Sequence, residues 1–170
     1  MSDLIFQSLR IILNFDENYF QIVLLSIFVS VTAVIIASII SITISSLISL
    51  NSFKLKNSLM IVINSLLALP PVVVGLILYI LFSTNGYFGI YNLLYTVNIM
   101  IIAQIILVTP LLISLCKESI DSVNIKLNEY LHTINASYYQ KTLTLISECK
   151  YNIILNIIVA LGGALSEVGA

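Results

Sequence analysis

Residues able to do chemistry are scarce in this chain. His132 is its one imidazole, and Cys116 and Cys149 are its only thiols. A structural zinc takes four such ligands, so these three do not complete a site, and the spacing predicts reduced, inert thiols. No Gly-x-x-x-x-Gly-Lys-Ser/Thr loop is present to cradle a nucleotide. Glu167 is the one ionisable side chain inside an apolar run, with no histidine or aspartate beside it. Intramembrane proteolysis or lipid modification needs several converging catalysts, so neither catalytic nor metal-ligating residues are assigned. What remains are residues that bend or end helices, Pro70, Pro71, Gly75, Pro110, Gly162 and Gly163, and a polar stretch around Glu129.

The elements that hold them are apolar. Of 170 residues, 59% are hydrophobic and 9% charged, with a mean hydropathy of +1.10. A water-facing domain carries roughly 25% charged residues. The composition therefore predicts an all-α, polytopic transmembrane bundle. A net charge of −1 without a basic tract excludes nucleic-acid binding. The N-terminus shows no basic region and no small-residue cleavage pattern, so no cleaved signal peptide is expected. Uncharged runs predict spans at 22–50, 59–82 and 97–116, and a fourth at 153–170 that contains Glu167. The first exceeds the ~30 Å hydrocarbon core at about 1.5 Å per residue, and must tilt or project.

Charge orients the bundle. Lys54, Lys56, Lys117, Lys126, Lys141 and Lys150 fall on one side and Arg10 alone on the other. The positive-inside rule then puts the N-terminus outside, 51–58 inside, 83–96 outside and 117–152 in the cytoplasm. Residues 4–13 read as an interfacial helix or a frayed terminus, with equal support. Ala33, Ala37, Ser41, Ser45 and Ser49 recur every fourth residue, a small-residue ridge for close helix packing, read here as packing within the chain.

Pro70 and Pro71 delete two backbone donors, so the second span must kink or break. Such a break is either a static kink or part of a pathway or gate. Pro110 is a weaker form of the same signal. Tyr79, Tyr87, Tyr91 and Tyr95 around Asn85-Gly86 fit an interfacial aromatic belt. Beyond the third span, Ile120, Val123, Leu127, Tyr130 or Leu131, and Ile134 give one apolar helical face. Asn135 suits the left-handed conformation that ends a helix, and Leu143, Leu145 and Ile146 predict a second short helix. This helical hairpin either covers the base of the bundle or meets a soluble partner; the pattern alone favours neither. An ionised Glu167 in the membrane costs on the order of 3 kcal/mol, which calls for a partner or a proton. A gate role is weighed against a structural one. The structural one is favoured because a bare carboxylate repels an anionic cargo.

Residues 129–136, Glu-Tyr-Leu-His-Thr-Ile-Asn-Ala, resemble the coupling loop of ABC importer permeases, in which Glu-Ala-Ala and three further residues precede a glycine. Glu129, Thr133 and Ala136 match that pattern, and Asn135 stands at the glycine position. Leu69-Pro70-Pro71-Val72-Val73-Val74-Gly75 is similar to a stretch of the molybdate and tungstate permeases. Gly162-Gly163-Ala164-Leu165-Ser166-Glu167-Val168-Gly169-Ala170 is similar to a segment of the tungstate permeases. The likeness runs in order from about residue 20 to 170. Tyr130 and Leu131 replace two alanines, which implies a bulkier docking surface, and Gly163 stands where an arginine is expected near Glu167.

The resemblance implies a single type I permease domain over 1–170 in the bacterial inner membrane. Four of its spans are seen and a fifth is missing, as in a C-terminally truncated product. It implies ATP-hydrolysing partner subunits, a second permease copy, an extracytoplasmic binding protein and membrane lipid as partners, with no cofactor of its own. Glu129, Tyr130, Leu131, Thr133, Asn135 and Ala136 would meet the ATPase. Pro70, Pro71, Gly75, Pro110, Gly162, Gly163 and Glu167 would line or bend the pathway. The implied cargo is tungstate or a similar oxyanion. A permease for another substrate and a self-contained channel or structural membrane protein are the alternatives.

Overall fold

The computed structural model describes residues 17–51, 53–133 and 135–167. The 4–13 segment and Val168-Gly169-Ala170 lie outside them. Among the described residues six α-helices follow one another: α1 (Glu17–Leu50), α2 (Lys56–Leu66), α3 (Pro71–Phe82), α4 (Val97–Thr133), α5 (Tyr138–Glu148) and α6 (Lys150–Glu167). A single 3-10 turn, Gly89–Tyr91, lies between α3 and α4. Among the described residues two helices are long and apolar enough to cross a membrane, and up to four crossings result if each bent pair counts as one.

Helix α4 is the centre, packed against every other helix. Its broadest contact is with α1, through the small-residue ridge. Ala33, Ala37, Ser41, Ser45 and Ser49 are all buried, so the ridge packs the chain on itself, as read from the sequence. Val34 and Ala37 meet Val108, Leu112, Ala160 and Ala164 in one core cluster. Hydroxyls in these apolar surroundings are satisfied locally: Ser38 and Ser46 donate to the carbonyls of Val34 and Ile42, four residues back. Ser41 instead crosses to α4 and donates to the Thr109 carbonyl at 3.2 Å. That bond sits beside Pro110, which is buried within α4.

One element differs from the sequence reading, and a second takes one of the two forms that reading allowed. The third span and the amphipathic segment after it form one continuous helix of 37 residues, about 55 Å long at 1.5 Å per residue. No glycine or proline follows Pro110 in α4, and the apolar positions after 116 stay in register with the packed face, so nothing ends the helix there. The second span is broken outright: α2 and α3 meet at 94°. The last amides of α2 tighten into i→i−3 bonds, with Leu67, Ala68 and Leu69 donating to Asn64, Ser65 and Leu66. Pro70 then takes an extended ψ of 135° as N-cap, and Pro71 opens α3. The prolines therefore start a helix, where their missing donors are not needed.

Between α3 and α4 the chain turns tightly. A Cβ on Gly86 would collide with the carbonyls of Ile80 and Leu81, which only glycine avoids. Phe82 and Phe88 close the turn with ring centroids 5.3 Å apart. Tyr79, Tyr87, Tyr91 and Tyr95 are all exposed around it.

Candidate functional site

The polar hairpin between α4 and α5 is built by side chains that supply hydrogen bonds. Asn135 has φ 48°, the left-handed value expected of it. The Ala136 amide reaches back to the Leu131 carbonyl at 3.1 Å, the six-to-one bond of a Schellman ending, and Ala136 packs on the cluster that holds Leu131. This explains why asparagine serves at a position where the resemblance calls for glycine: after glycine, asparagine visits the left-handed region most readily. Ser137 then begins α5 with a full capping box. Its hydroxyl accepts from the Gln140 amide at 3.4 Å, and Gln140 Oε1 accepts from the Ser137 amide at 2.8 Å. The Ser-x-x-Gln spacing announces this box in the sequence, and the reading above missed it.

The hairpin has two faces. Leu131 and Leu145 are 2% and 1% exposed and share a core cluster with Cys116, Ile120, Cys149 and Ile153. Glu129, Tyr130, Thr133 and Asn135 point outward, Tyr130 with 63% exposure. Tyr138, Tyr139 and Leu143 extend the exposed surface along α5. One face thus covers the base of the bundle, as one of the two sequence readings has it, and the other is exposed. Leu131, expected in the same loop, is buried and holds the turn against the core. Only Tyr130 adds bulk outside.

Hydrogen bonds tie the hairpin to the spans. Asn51, at the end of α1, donates to the Tyr138 hydroxyl at 3.2 Å. Ser49 donates to Asp121, which also pairs with Lys117 at 2.5 Å. Lys56 donates to the Ser49 carbonyl at 3.2 Å, and Asn156 of α6 to Ser119 at 3.0 Å. These pairings were not singled out from the sequence; most of them join positions remote in the chain, and no local pattern marks those. Burial pushes the Cys149 thiol above its ordinary range, in keeping with an inert thiol at the α5–α6 joint.

The residues assigned to a pathway are not gathered in one place. Pro70 and Pro71 stand exposed at the α2–α3 break, while Pro110 is buried in the core. Gly75, Gly162 and Gly163, expected to line or bend the pathway, lie inside helices that continue through them. In lipid an α-helix keeps its own backbone bonds because no water competes for them, and glycine alone does not end it. A Cβ at any of the three would meet nothing within 4 Å. Gly75 borders an apolar hollow of about 410 Å³ with Leu78, Tyr79, Tyr95 and Ile99. Glu167 is half-buried at the end of α6 and enters no ion pair among the described residues. Nearby, buried Gln104 donates to the Ala164 carbonyl at 2.8 Å and anchors α6 to α4.

An α-helical bundle with a polar hairpin folded against its base matches a known family along most of its length. The model of the binding-protein-dependent transport system inner membrane component family covers residues 38–166. The chain belongs to this family. It is 34% identical over 163 residues to the tungstate uptake system permease protein TupB of Peptoclostridium acidaminophilum, covering 96% of this chain and 72% of that protein. To TupB of Campylobacter jejuni it is also 34% identical, covering 96% and 68%. A probable anion ABC transporter permease protein of Haloferax volcanii is 31% identical, covering 88% and 65%. As a member of an inner-membrane transport family, the chain is a membrane-embedded transport component, and its relatives are named as permeases. The fold class expected from the sequence stands.

Proposed function

We propose that the chain is the permease subunit of an ATP-driven ABC importer for tungstate or a similar oxyanion. The relatives named for tungstate uptake support the cargo, and the one named for anions supports its charge class. The two-faced hairpin carries the reading. Leu131 and Leu145 bind it to the bundle, while Glu129, Tyr130, Thr133, Asn135 and the edge of Ala136 are left for a soluble ATPase. Such a hairpin moves the spans whenever its outer face is pulled, because Asn51, Ser49 and Asp121 connect it to α1 and α4.

The permease would act as a homodimer with two ATPase subunits and an external binding protein. Its N-terminus would lie outside and 117–152 in the cytosol, an orientation that the lysine distribution supports. ATP-driven closure would exchange inward- and outward-open states by rigid-body motion, with the Pro70–Pro71 break giving where the bundle opens. Glu167 and the open faces at Gly75, Gly162 and Gly163 would then meet the cargo route or the second copy. No cofactor is assigned to this chain; ATP is used by the partner.

The test is co-purification with the cognate ATPase. Replacing Tyr130 and Asn135 together with Asp is expected to abolish the complex while membrane insertion persists. An undiminished complex would remove the hairpin from the docking surface. Oxyanion flux without ATP, in liposomes holding this protein alone, would favour a self-contained channel instead.

A further inference from the structure

A groove of about 630 Å³ opens between α2 and α4 and is not used by the transport reading. Its walls carry two cations, Lys56 and Lys117, and two carboxylates, Glu118 and Asp121. Lys117 and Asp121 are already closed on each other at 2.5 Å, and Asp121 also accepts from Ser49. Lys56 gives one of its three protons to the Ser49 carbonyl and keeps two. Glu118 is exposed and enters no ion pair among the described residues. One cation and one carboxylate are therefore left facing the same space.

The groove lies where the bundle changes from apolar to charged. Lys56 stands three residues before the apolar run that begins at Leu59, and Lys117 directly follows the run 97–116. On the α2 wall Met60 is half-buried and Ile61 is 66% exposed, leading from the charges into the apolar zone. A dianion fits this arrangement poorly, because two carboxylates stand among the cations and offset their attraction. A ligand with a phosphate, an amine and an apolar tail fits all three walls.

We propose that the groove binds a phospholipid whose headgroup joins a phosphate to a primary amine, as in phosphatidylethanolamine. Lys56 holds the phosphate, Glu118 accepts from the ammonium, and the acyl chains follow Met60 and Ile61 into the bilayer. Charge-assisted bonds of both signs select this headgroup over one that carries the phosphate alone. The proposal rests on the membrane placement of the chain and is independent of its cargo.

The test uses the assembled permease in nanodiscs of equal phosphatidylethanolamine and phosphatidylglycerol, with retained lipid read by native mass spectrometry. The unaltered protein is expected to retain the amine lipid over the glycerol lipid by about tenfold, or about 1.4 kcal/mol. Glu118→Gln should bring that ratio near unity, Lys56→Gln should deplete both lipids, and Lys56→Arg should keep the preference. Equal retention by the unaltered protein, a preference that survives Glu118→Gln, or full retention in Lys56→Gln would overturn the assignment. Displacement of the lipid by millimolar tungstate would overturn it too, in favour of an oxyanion site.

Discussion

Two places in the molecule change the direction of the chain sharply, and they do so by opposite means. At the α2–α3 junction Pro70 and Pro71 remove donors, and no side chain caps either helix. Between α4 and α5, Asn135, Ala136, Ser137 and Gln140 add bonds: a left-handed residue, a reach-back amide and a capping box. A break by subtraction leaves a junction held by backbone bonds, its φ limits and neighbours, with no side-chain cap. A turn built by addition is held by its own contacts, and the buried Leu131 fixes it to the core. The first resembles a hinge and the second a rigid corner. In an importer, the rigid corner is where force should enter, and the hinge is where shape should change.

The contrast can be broken by substitution, beginning with the strongest anchor. Leu131→Ala leaves a hole in the cluster around Cys116 and Leu145. It should destabilise the hairpin by roughly 2–5 kcal/mol, measured as a lowered Tm of the detergent-purified protein. At the hinge, replacing Pro70 and Pro71 with Ala returns two donors and should let α2 and α3 straighten. Spin-label distances between Asn57 and Ile80 would lengthen, and uptake should fall by about tenfold or more if opening there carries transport. An unchanged distance would show that packing, and not proline, sets the 94° bend.

Smaller effects sharpen the same contrast. Asn135→Ala keeps a β-carbon in the left-handed region but loses the short polar side chain that makes it tolerable, at about 1 kcal/mol, whereas Asn135→Gly should be neutral or slightly stabilising. Ser137→Ala should cost about 1 kcal/mol through loss of the cap; a matching loss on substituting Ser65, in the last turn of α2, would erase the distinction between the two junctions. Smallest is the thiol at the α5–α6 joint. Its raised pKa favours the neutral form in the folded state, so that contribution is present below the ordinary thiol pKa and fades as pH rises through the folded value. Alkylation of Cys149 should therefore lag behind a free thiol at pH 8 and accelerate only at higher pH.

The bundle was legible because apolar runs and lysine spacing act locally and need no tertiary knowledge. Asn135 and the short helix after it were readable for the same reason: one residue type and one periodicity each decide a local conformation. The continuity of α4 past Cys116 was not readable as such, since a change from uncharged to charged composition looks like a boundary although the backbone has no reason to stop. Nor could spacing tell Tyr130 from Leu131. Adjacent residues on a helix differ by about 100°, and only the packed neighbour decides which of the two turns inward. Ser49 with Asp121, and Asn51 with Tyr138, depend on helices meeting across the bundle. The Ser137–Gln140 box, by contrast, stood in plain view.

The unbroken run of α4 has a mechanical consequence. A stiff rod of about 55 Å, tilting by about 5° around a point a third of the way along, carries the tip of its longer arm roughly 3 Å sideways. Because Ser41 holds the Thr109 carbonyl at such a point, the rod behaves as an uneven seesaw: a small pull at Thr133 is answered by a smaller opposite swing at Val97.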